Sequence, residues 1–277
     1  MGNAEEERRQ TRAIRSLQNQ SVKAIRALHM RKVRRQSGLF VAEGASLLLM
    51  ARDAGWPPTT LAYLAASAKA GVNAALVAWA CAAGAECLEV APAVLGKLAT
   101  KDNPQTVLGV FEQRWARPPD PATLPSSGLW LALEGVRDPG NLGTIIRTLH
   151  AVGASGAMLI GSTVDPYSRE AVRASMGSIF HVPLLRLNCA AFLALRSQWL
   201  GEVVGTELSA CQDFRAQPYR HPVLLVMGSE GAGLSSALAA ACSRRVKIPM
   251  AGRLDSLNLA VATGLMLYEV CRERLKL

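Results

Sequence analysis

Short runs of apolar residues, separated by helix-like patterns, recur along the second half of the chain. They fall at Leu129–Leu133, Ala157–Ile160, Glu202–Gly205, Val223–Met227 and Arg245–Ile248. A strand that is buried on both faces carries apolar residues at consecutive positions. These runs therefore predict a mostly parallel sheet covered by helices on both faces. Ligands of such sheets bind beyond the carboxyl ends of the strands, so the loops that follow these strands are the candidate sites.

The first half of the chain predicts a smaller α/β domain. A basic helix is followed by a strand at Gly38–Glu43, a helix near Ala45–Ala54, and strands at Thr60–Leu64 and Val107–Glu112. The polar stretch Trp115–Gly128 contains four prolines and is predicted to be an interdomain linker. The predicted organisation is a basic tail at 1–16, the smaller α/β domain at 17–114, the linker at 115–128 and a larger domain at 129–277.

Positive charge is concentrated near the N-terminus. The formal net charge is +10, and ten basic residues with no acidic ones lie between Arg8 and Arg35. Such a stripe suits a phosphate backbone, although a solvated basic helix has the same composition. The candidate residues for binding a nucleic-acid backbone are Arg26, Arg31, Lys32, Arg34 and Arg35.

Several classes of protein are disfavoured by the composition. No segment has 18 uninterrupted apolar residues, which argues against a membrane partner, and the N-terminus lacks the pattern of a secretory signal. The six cysteines are scattered, without a C-x-x-C pair, which argues against a zinc site and for reduced thiols. We therefore expect a cytoplasmic protein that binds no metal.

The loop after the first strand of the larger domain leads into a helix with an arginine on its polar side. Asp138 suits the N-cap and Pro139 the first turn. At about 100° per residue, Arg147 lies opposite the apolar stripe of this helix, on the same side as Gly143. An arginine at this position is well placed for a phosphate, although a solvated surface arginine fits the same pattern.

The second loop, after Met227, reads Gly-Ser-Glu-Gly-Ala-Gly at 228–233. Its small residues let backbone groups approach a ligand closely. The glycine spacing is not G-x-G-x-x-G and no G-K-[ST] follows, so a nicotinamide or ATP site has little support. The charge of Glu230 would repel a phosphate but is compatible with a sulfonium or an amine. A glycine-rich turn before a helix is the alternative interpretation.

The third loop follows the run that ends near Pro249. Ser256 suits the N-cap of a long apolar helix at Leu257–Val270, and Asn258 would then lie in its first turn. There its side-chain amide could bind the backbone or a ligand. A capped and buried C-terminal helix accounts for the same pattern.

Together these loops strongly resemble the three motifs of the SpoU (TrmH) family of RNA 2′-O-methyltransferases. The matching residues are Asn141, Gly143, Arg147 and Thr148, then Gly228, Glu230, Gly231 and Gly233, then Ile248–Met250 with Ser256–Asn258. Asp165–Ser168 and Arg173–Gly177 also look like that family. Less specifically, the N-terminal half resembles the ribosomal-protein-L30e-like substrate-binding domain of ribosomal RNA members, through Gly38–Gly44 and the stretch from Asn103 to Phe111.

The resemblance implies an α/β fold of the SPOUT superfamily whose C-terminal end forms a trefoil knot, assembled as a homodimer. S-adenosylmethionine (SAM) would be held by backbone groups of the knot loops, without a metal. The implied cofactor-binding positions are Gly205, Thr206, Gly228, Ile248 and Leu257. Arg147 is similar to the family's catalytic arginine, and the other matching site residues are Asn141, Glu230, Ser256 and Asn258.

We interpret the reaction as methyl transfer to a ribose 2′-hydroxyl, in ribosomal RNA of the 23S type. A guanidinium keeps its proton, so we interpret Arg147 as a clamp on the RNA phosphate while a phosphate oxygen or water accepts the proton. Three alternatives remain: a methyltransferase acting on transfer RNA, one acting on a base nitrogen, and an RNA-binding ribosome-assembly factor that does not catalyse transfer. A Rossmann dehydrogenase lacks its glycine fingerprint.

Overall fold

The computed structural model describes residues 11–99, 105–252 and 256–275. The predicted basic tail lies partly outside these residues, as do part of the third loop and the start of the stretch from Asn103. The chain divides into two compact units. Of the described residues, the first unit contains those up to Gln113 together with Asp165–Phe180, and the second contains Arg114–Val164 and those from His181 onwards.

The first unit contains a five-stranded sheet in the order β1-β4-β3-β5-β2. Its strands are β1 (Thr11–Ile14), β2 (Leu39–Glu43), β3 (Thr60–Leu64), β4 (Glu86–Val90) and β5 (Val107–Glu112). Strand β5 pairs antiparallel with β2 and β3, whereas β4 pairs parallel with β1 and β3. The predicted strands at β2, β3 and β5 are confirmed, whereas β1 and β4 were not predicted.

The helices of this unit are α1 (Gln20–Ala27), α2 (Arg31–Ser37), α3 (Ala45–Asp53), α4 (Gly71–Ala82) and α5 (Pro92–Leu98). The predicted basic helix is thus two short helices. Asn19 caps α1 by accepting hydrogen bonds from the backbone of Ser21 and Val22, and α2 ends at Gly38 with a positive φ of 69°.

Residues 165–180 belong to this first unit, although the sequence placed them in the larger domain. They include one short helix, α7 (Arg169–Ala174), which is numbered by its place in the whole chain. Tyr167 and Phe180 pack on Phe40, with ring centroids 4.7 and 5.9 Å away. Burial of these aromatic rings stabilises the packing of residues 165–180 on the N-terminal half.

The second unit contains a six-stranded sheet in which all recorded pairings are parallel, in the order β11-β9-β10-β6-β7-β8. The strands are β6 (Leu129–Glu134), β7 (Gly156–Ile160), β8 (Leu184–Leu187), β9 (Glu202–Thr206), β10 (Val223–Met227) and β11 (Arg244–Val246). The predicted mostly parallel sheet of buried strands is confirmed. Two details of the prediction were wrong. Strand β8 was not predicted, and β11 ends two residues before Ile248, where the predicted strand ended.

The helices of the second unit are α6 (Pro139–Ala151), α8 (Cys189–Ser197), α9 (Ser236–Ala241) and α10 (Leu259–Val270). Asp138 caps α6, with Pro139 in the first turn, as predicted. The N-cap of α10 is Asn258 and not Ser256, because Asn258 Oδ1 accepts hydrogen bonds from the backbone of Ala260 and Val261. No helix in the described ranges is long and apolar enough to cross a membrane.

Candidate functional site

A cavity of about 730 Å³ lies at the carboxyl edge of the second sheet, and it is lined by residues that follow β9, β10 and β11 and by the start of α10. Its volume is within the range of about 300–1,000 Å³ that is usual for small-molecule sites. Parallel strands present their carboxyl ends at one edge, which brings these distant loops together. The site predicted at the strand ends therefore coincides with a real cavity.

Four of the five predicted cofactor-binding residues line this cavity: Thr206, Gly228, Ile248 and Leu257. The fifth, Gly205, is buried in β9 and is absent from the cavity wall. A Cβ at Gly205 would lie 2.6 Å from Cys242 Sγ, so packing inside the unit is enough to require glycine there. Gly205 can still contribute to the site indirectly, because it is the residue of β9 that directly precedes Thr206.

The glycine-rich loop after β10 folds back on itself. Ser229 and Gly233 exchange two backbone hydrogen bonds of 3.0 Å, and Gly231 and Gly233 have positive φ angles of 94° and 67°. A Cβ at Gly228 would lie 2.1 Å from the carbonyl carbon of Gly233. Glycine at 228 thus lets the two arms of the loop touch and sets the shape of the cavity wall.

Three polar side chains from three separate motifs meet at the N-terminus of α10. Asn141 Nδ2 donates to Glu230 Oε1 at 2.5 Å, and Asn258 Nδ2 donates to Asn141 Oδ1 at 2.9 Å. Asn258 Nδ2 also lies 3.5 Å from Glu230 Oε1, which accepts from the backbone N–H of Leu259 at 3.3 Å. A carboxylate at a helix N-terminus is favoured by the helix dipole. We call this group the Asn141–Glu230–Asn258 network.

Arg147 lies on the exposed side of α6, as its position in the helix predicted, and it is not among the residues that line the cavity. Ser256 lines the cavity and is exposed. The structure therefore brings four of the five predicted catalytic residues to the cavity or to the network beside it. Arg147 remains available to a ligand that approaches from solvent.

The predicted RNA-binding residues divide into two groups. Arg26, Arg31, Lys32 and Arg35 are exposed on α1 and α2. Arg34 is 5 % exposed, pairs with Asp165 at 2.9 Å, and donates to the carbonyl oxygens of Leu28 and His29. The prediction that Arg34 binds RNA was wrong, because its guanidinium is used inside the first unit.

Some residues of the cavity were not predicted. Glu207, Met227 and Lys247 line its wall, and each lies in or directly after a strand that was recognised in the sequence. The only sequence signal that could have identified these residues is therefore their position at the ends of predicted strands. In the described ranges, no group of three or more His, Cys, Asp or Glu side chains is placed to hold a metal ion.

The residues of the cavity fit SAM in size and charge. Apolar side chains such as Met227, Ile248 and Leu257 provide surfaces for an adenine ring, and the backbone of the glycine-rich loop is accessible. Glu230 lies in the wall and can face a cationic sulfonium.

Comparison with known proteins agrees with this geometry. Residues 128–268 match the SpoU rRNA Methylase family, and residues 19–109 match the MRM3-like substrate binding domain. An uncharacterised tRNA/rRNA methyltransferase of Synechocystis is 35 % identical, over 95 % of this chain and 94 % of that protein. A 23S rRNA (uridine(2479)-2′-O)-methyltransferase of Streptomyces viridochromogenes is 33 % identical, over 88 % of this chain and 86 % of that protein.

Solved structures give the same result. The AdoMet-bound rRNA methyltransferase of Sinorhizobium meliloti is 43 % identical, with a TM-score of 0.89, over 96 % of this chain and all of that one. The SpoU methyltransferase AviRb of Streptomyces viridochromogenes in complex with AdoMet is 31 % identical, with a TM-score of 0.82, over 94 % of this chain and 99 % of that one. The chain therefore belongs to the SpoU rRNA methylase family and is an enzyme of the SAM-dependent RNA methyltransferase class.

Proposed function

We propose that this enzyme methylates a ribose 2′-hydroxyl in large-subunit ribosomal RNA of the 23S type. The observation that carries the proposal is the cavity at the strand ends with the Asn141–Glu230–Asn258 network beside it. Relatives of nearly the same length that are named 23S rRNA 2′-O-methyltransferases support the choice of RNA and of atom.

SAM supplies the methyl group when it is bound in the cavity. The ribose oxygen forms a bond to the methyl carbon as the carbon–sulfur bond breaks, which leaves S-adenosylhomocysteine, and the hydroxyl proton goes to a phosphate oxygen or water. In this proposal the backbone near Thr206, Gly228, Ile248 and Leu257 holds SAM. Holding the ribose oxygen in line with the methyl carbon lowers the barrier, because the entropy of bringing the two reactants together is lost on binding and not in the chemical step.

The protein's side chains orient the RNA in this proposal. Arg147 binds the phosphate beside the target ribose through two N–H groups, which a guanidinium can present together. Asn141 and Asn258 hold the position of Glu230, and Ser256 lies at the edge of the cavity, where it can reach the ligand. Arg26, Arg31, Lys32 and Arg35 attract the RNA backbone. A trefoil knot, which the family implies, and a cytoplasmic location, which the sequence composition led us to expect, are parts of the same proposal.

A homodimer is also part of the proposal. Val261, Leu265 and Tyr268 lie one turn apart on α10 and are 53, 43 and 53 % exposed. A stripe of large apolar side chains at this spacing is suited to a second copy of the chain. Leu265→Glu should give monomers in light scattering, whereas Leu200→Glu, at a residue that is 77 % exposed elsewhere in the unit, should not.

The activity is tested by transfer of labelled methyl from SAM to purified ribosomal and transfer RNA, with Arg147→Ala as the control. Label in ribosomal RNA that survives as a 2′-O-methylnucleoside, and is absent with the variant, would support the proposal. Label in transfer RNA or on a base would replace the substrate, and SAM binding without transfer to any RNA would favour the assembly-factor alternative.

A further inference from the structure

The first unit contains a second cavity, of about 270 Å³, that the proposed reaction does not use. Its lining includes Glu43, Ser46 and Gln105 from the N-terminal half and Arg169, Arg173 and Met176 from residues 165–180. It is too small for a folded RNA helix and close to the lower limit of small-molecule sites. The motif from Arg173 to Gly177, which resembled the family but had no assigned role, forms part of its wall.

The inner wall of this cavity is formed in part by a largely buried ion pair. Arg169 Nη1 lies 3.0 Å from Glu43 Oε1 and donates to the carbonyl oxygen of Leu98 at 2.6 Å, and both charged side chains are about 14 % exposed or less. Arg169 Nε is buried without a hydrogen-bond partner among the described residues. A buried donor of this kind favours a ligand that can accept a hydrogen bond.

The rim of the cavity presents a cation beside an apolar side chain. Arg173 is exposed, and Met176 is 50 % exposed with a positive φ of 50°, which is uncommon for a residue other than glycine. The charged residues in the lining are Glu43, Arg169 and Arg173, so the wall has one excess positive charge. A phosphate at the rim and an aromatic base against the thioether would satisfy both features.

We propose that this cavity binds one unstacked nucleotide of the RNA substrate, with its phosphate on Arg173, its base against Met176, and its polar edge towards Ser46 and Gln105. The proposal rests on the proposed function, because it takes the enzyme's ligand to be RNA. It adds a contact, within the first unit, that reads a single-stranded nucleotide. Folded RNA offers such nucleotides in its loops and bulges.

The test measures affinity for unmethylated ribosomal RNA at several salt concentrations. Arg173→Gln should weaken binding and lower the salt slope by about 0.7, which is the value for one single-stranded phosphate contact. Met176→Asn, which tolerates the left-handed backbone, should weaken binding roughly five- to tenfold with no change in the slope. Met176→Leu should restore the affinity. Arg52→Gln, at an exposed arginine paired with Asp53, is the matched control and should bind normally.

SAM affinity and the melting temperature should stay at wild-type values in all four variants. RNA that contains 4-thiouridine should cross-link to the peptide that carries Met176. Wild-type RNA affinity for both Arg173→Gln and Met176→Asn, or cross-links that all lie elsewhere, would overturn the pocket. A wild-type enzyme that binds RNA but transfers no methyl would instead overturn the proposed function, and the binding comparison would still decide the pocket.

Discussion

Asn258 and Asn141 are 117 positions apart in the chain, yet Asn258 Nδ2 donates a 2.9 Å hydrogen bond to Asn141 Oδ1. At the same time Asn258 Oδ1 caps α10. The Asn258 amide therefore has two separate roles. Its oxygen stabilises a helix, and its nitrogen orders the network beside the cavity. The two roles can be separated by substitution.

Asn258→Asp should keep the cap but lose the amide donor, and it places a second carboxylate beside Glu230. We expect a stability close to wild type and a large loss of methyl transfer. Asn258→Ala should lose both, with a cost in unfolding free energy of about 1 kcal/mol from the cap. Chemical denaturation and a transfer assay measure the two effects. Equal activity in Asn258→Asp and the wild type would contradict a role for the network.

Arg147→Lys tests the phosphate clamp. A lysine keeps the charge but loses the paired N–H groups, so we expect kcat to fall by about 100-fold, with stability within about 0.5 kcal/mol of wild type because the site is exposed. Arg272→Lys is the control, at an exposed arginine that pairs with Glu269 on the same unit. Near-normal turnover of Arg147→Lys would exclude the clamp.

Gly228→Ala should impair SAM binding, because its Cβ would collide with the backbone of Gly233 and push the loop apart. From the size of effect that is typical of overpacking, we expect the affinity for SAM to fall roughly tenfold or more. Calorimetry with SAM measures it. Gly96→Ala, on α5 with open space around its Cβ position, should bind SAM normally and be slightly more stable. Unchanged affinity in Gly228→Ala would show that the loop does not shape the site.

Arg34→Ala should destabilise the first unit, because the guanidinium of Arg34 is buried there. Its removal leaves Asp165 buried without its cation, and breaking such a pair costs about 3–5 kcal/mol. Arg35→Ala, at the exposed neighbour, should lower RNA affinity and leave the melting temperature unchanged. A normal melting temperature for Arg34→Ala would refute this assignment.

Stability should fall in mild acid because of two stacked imidazoles. His150 and His181 have ring centroids 4.5 Å apart, and partial burial of the His150 ring, followed by the charge of His181, lowers the pKa of His150 from its ordinary value of 6.5. The unfolded chain then binds more protons than the folded one, so stability is present above pH 6.5 and is lost as the pH falls below it. His150→Asn should flatten this part of the unfolding profile, and a profile unchanged from wild type would refute the link.

The sequence by itself determined most of what is local. Caps such as Asp138, the apolar runs of β6 and β10, and the loops after them were recognised because backbone hydrogen bonding and burial on both faces leave a signature in neighbouring residues. The family followed from three motifs for the same reason. The position of the cavity followed from the rule for parallel sheets.

Only the tertiary structure decided which distant groups meet. It used Arg34 in a buried pair with Asp165, placed residues 165–180 in the first unit, and joined Asn141, Glu230 and Asn258 into one network. These outcomes depend on packing between residues far apart in the chain, and no local pattern of polar and apolar residues encodes such contacts.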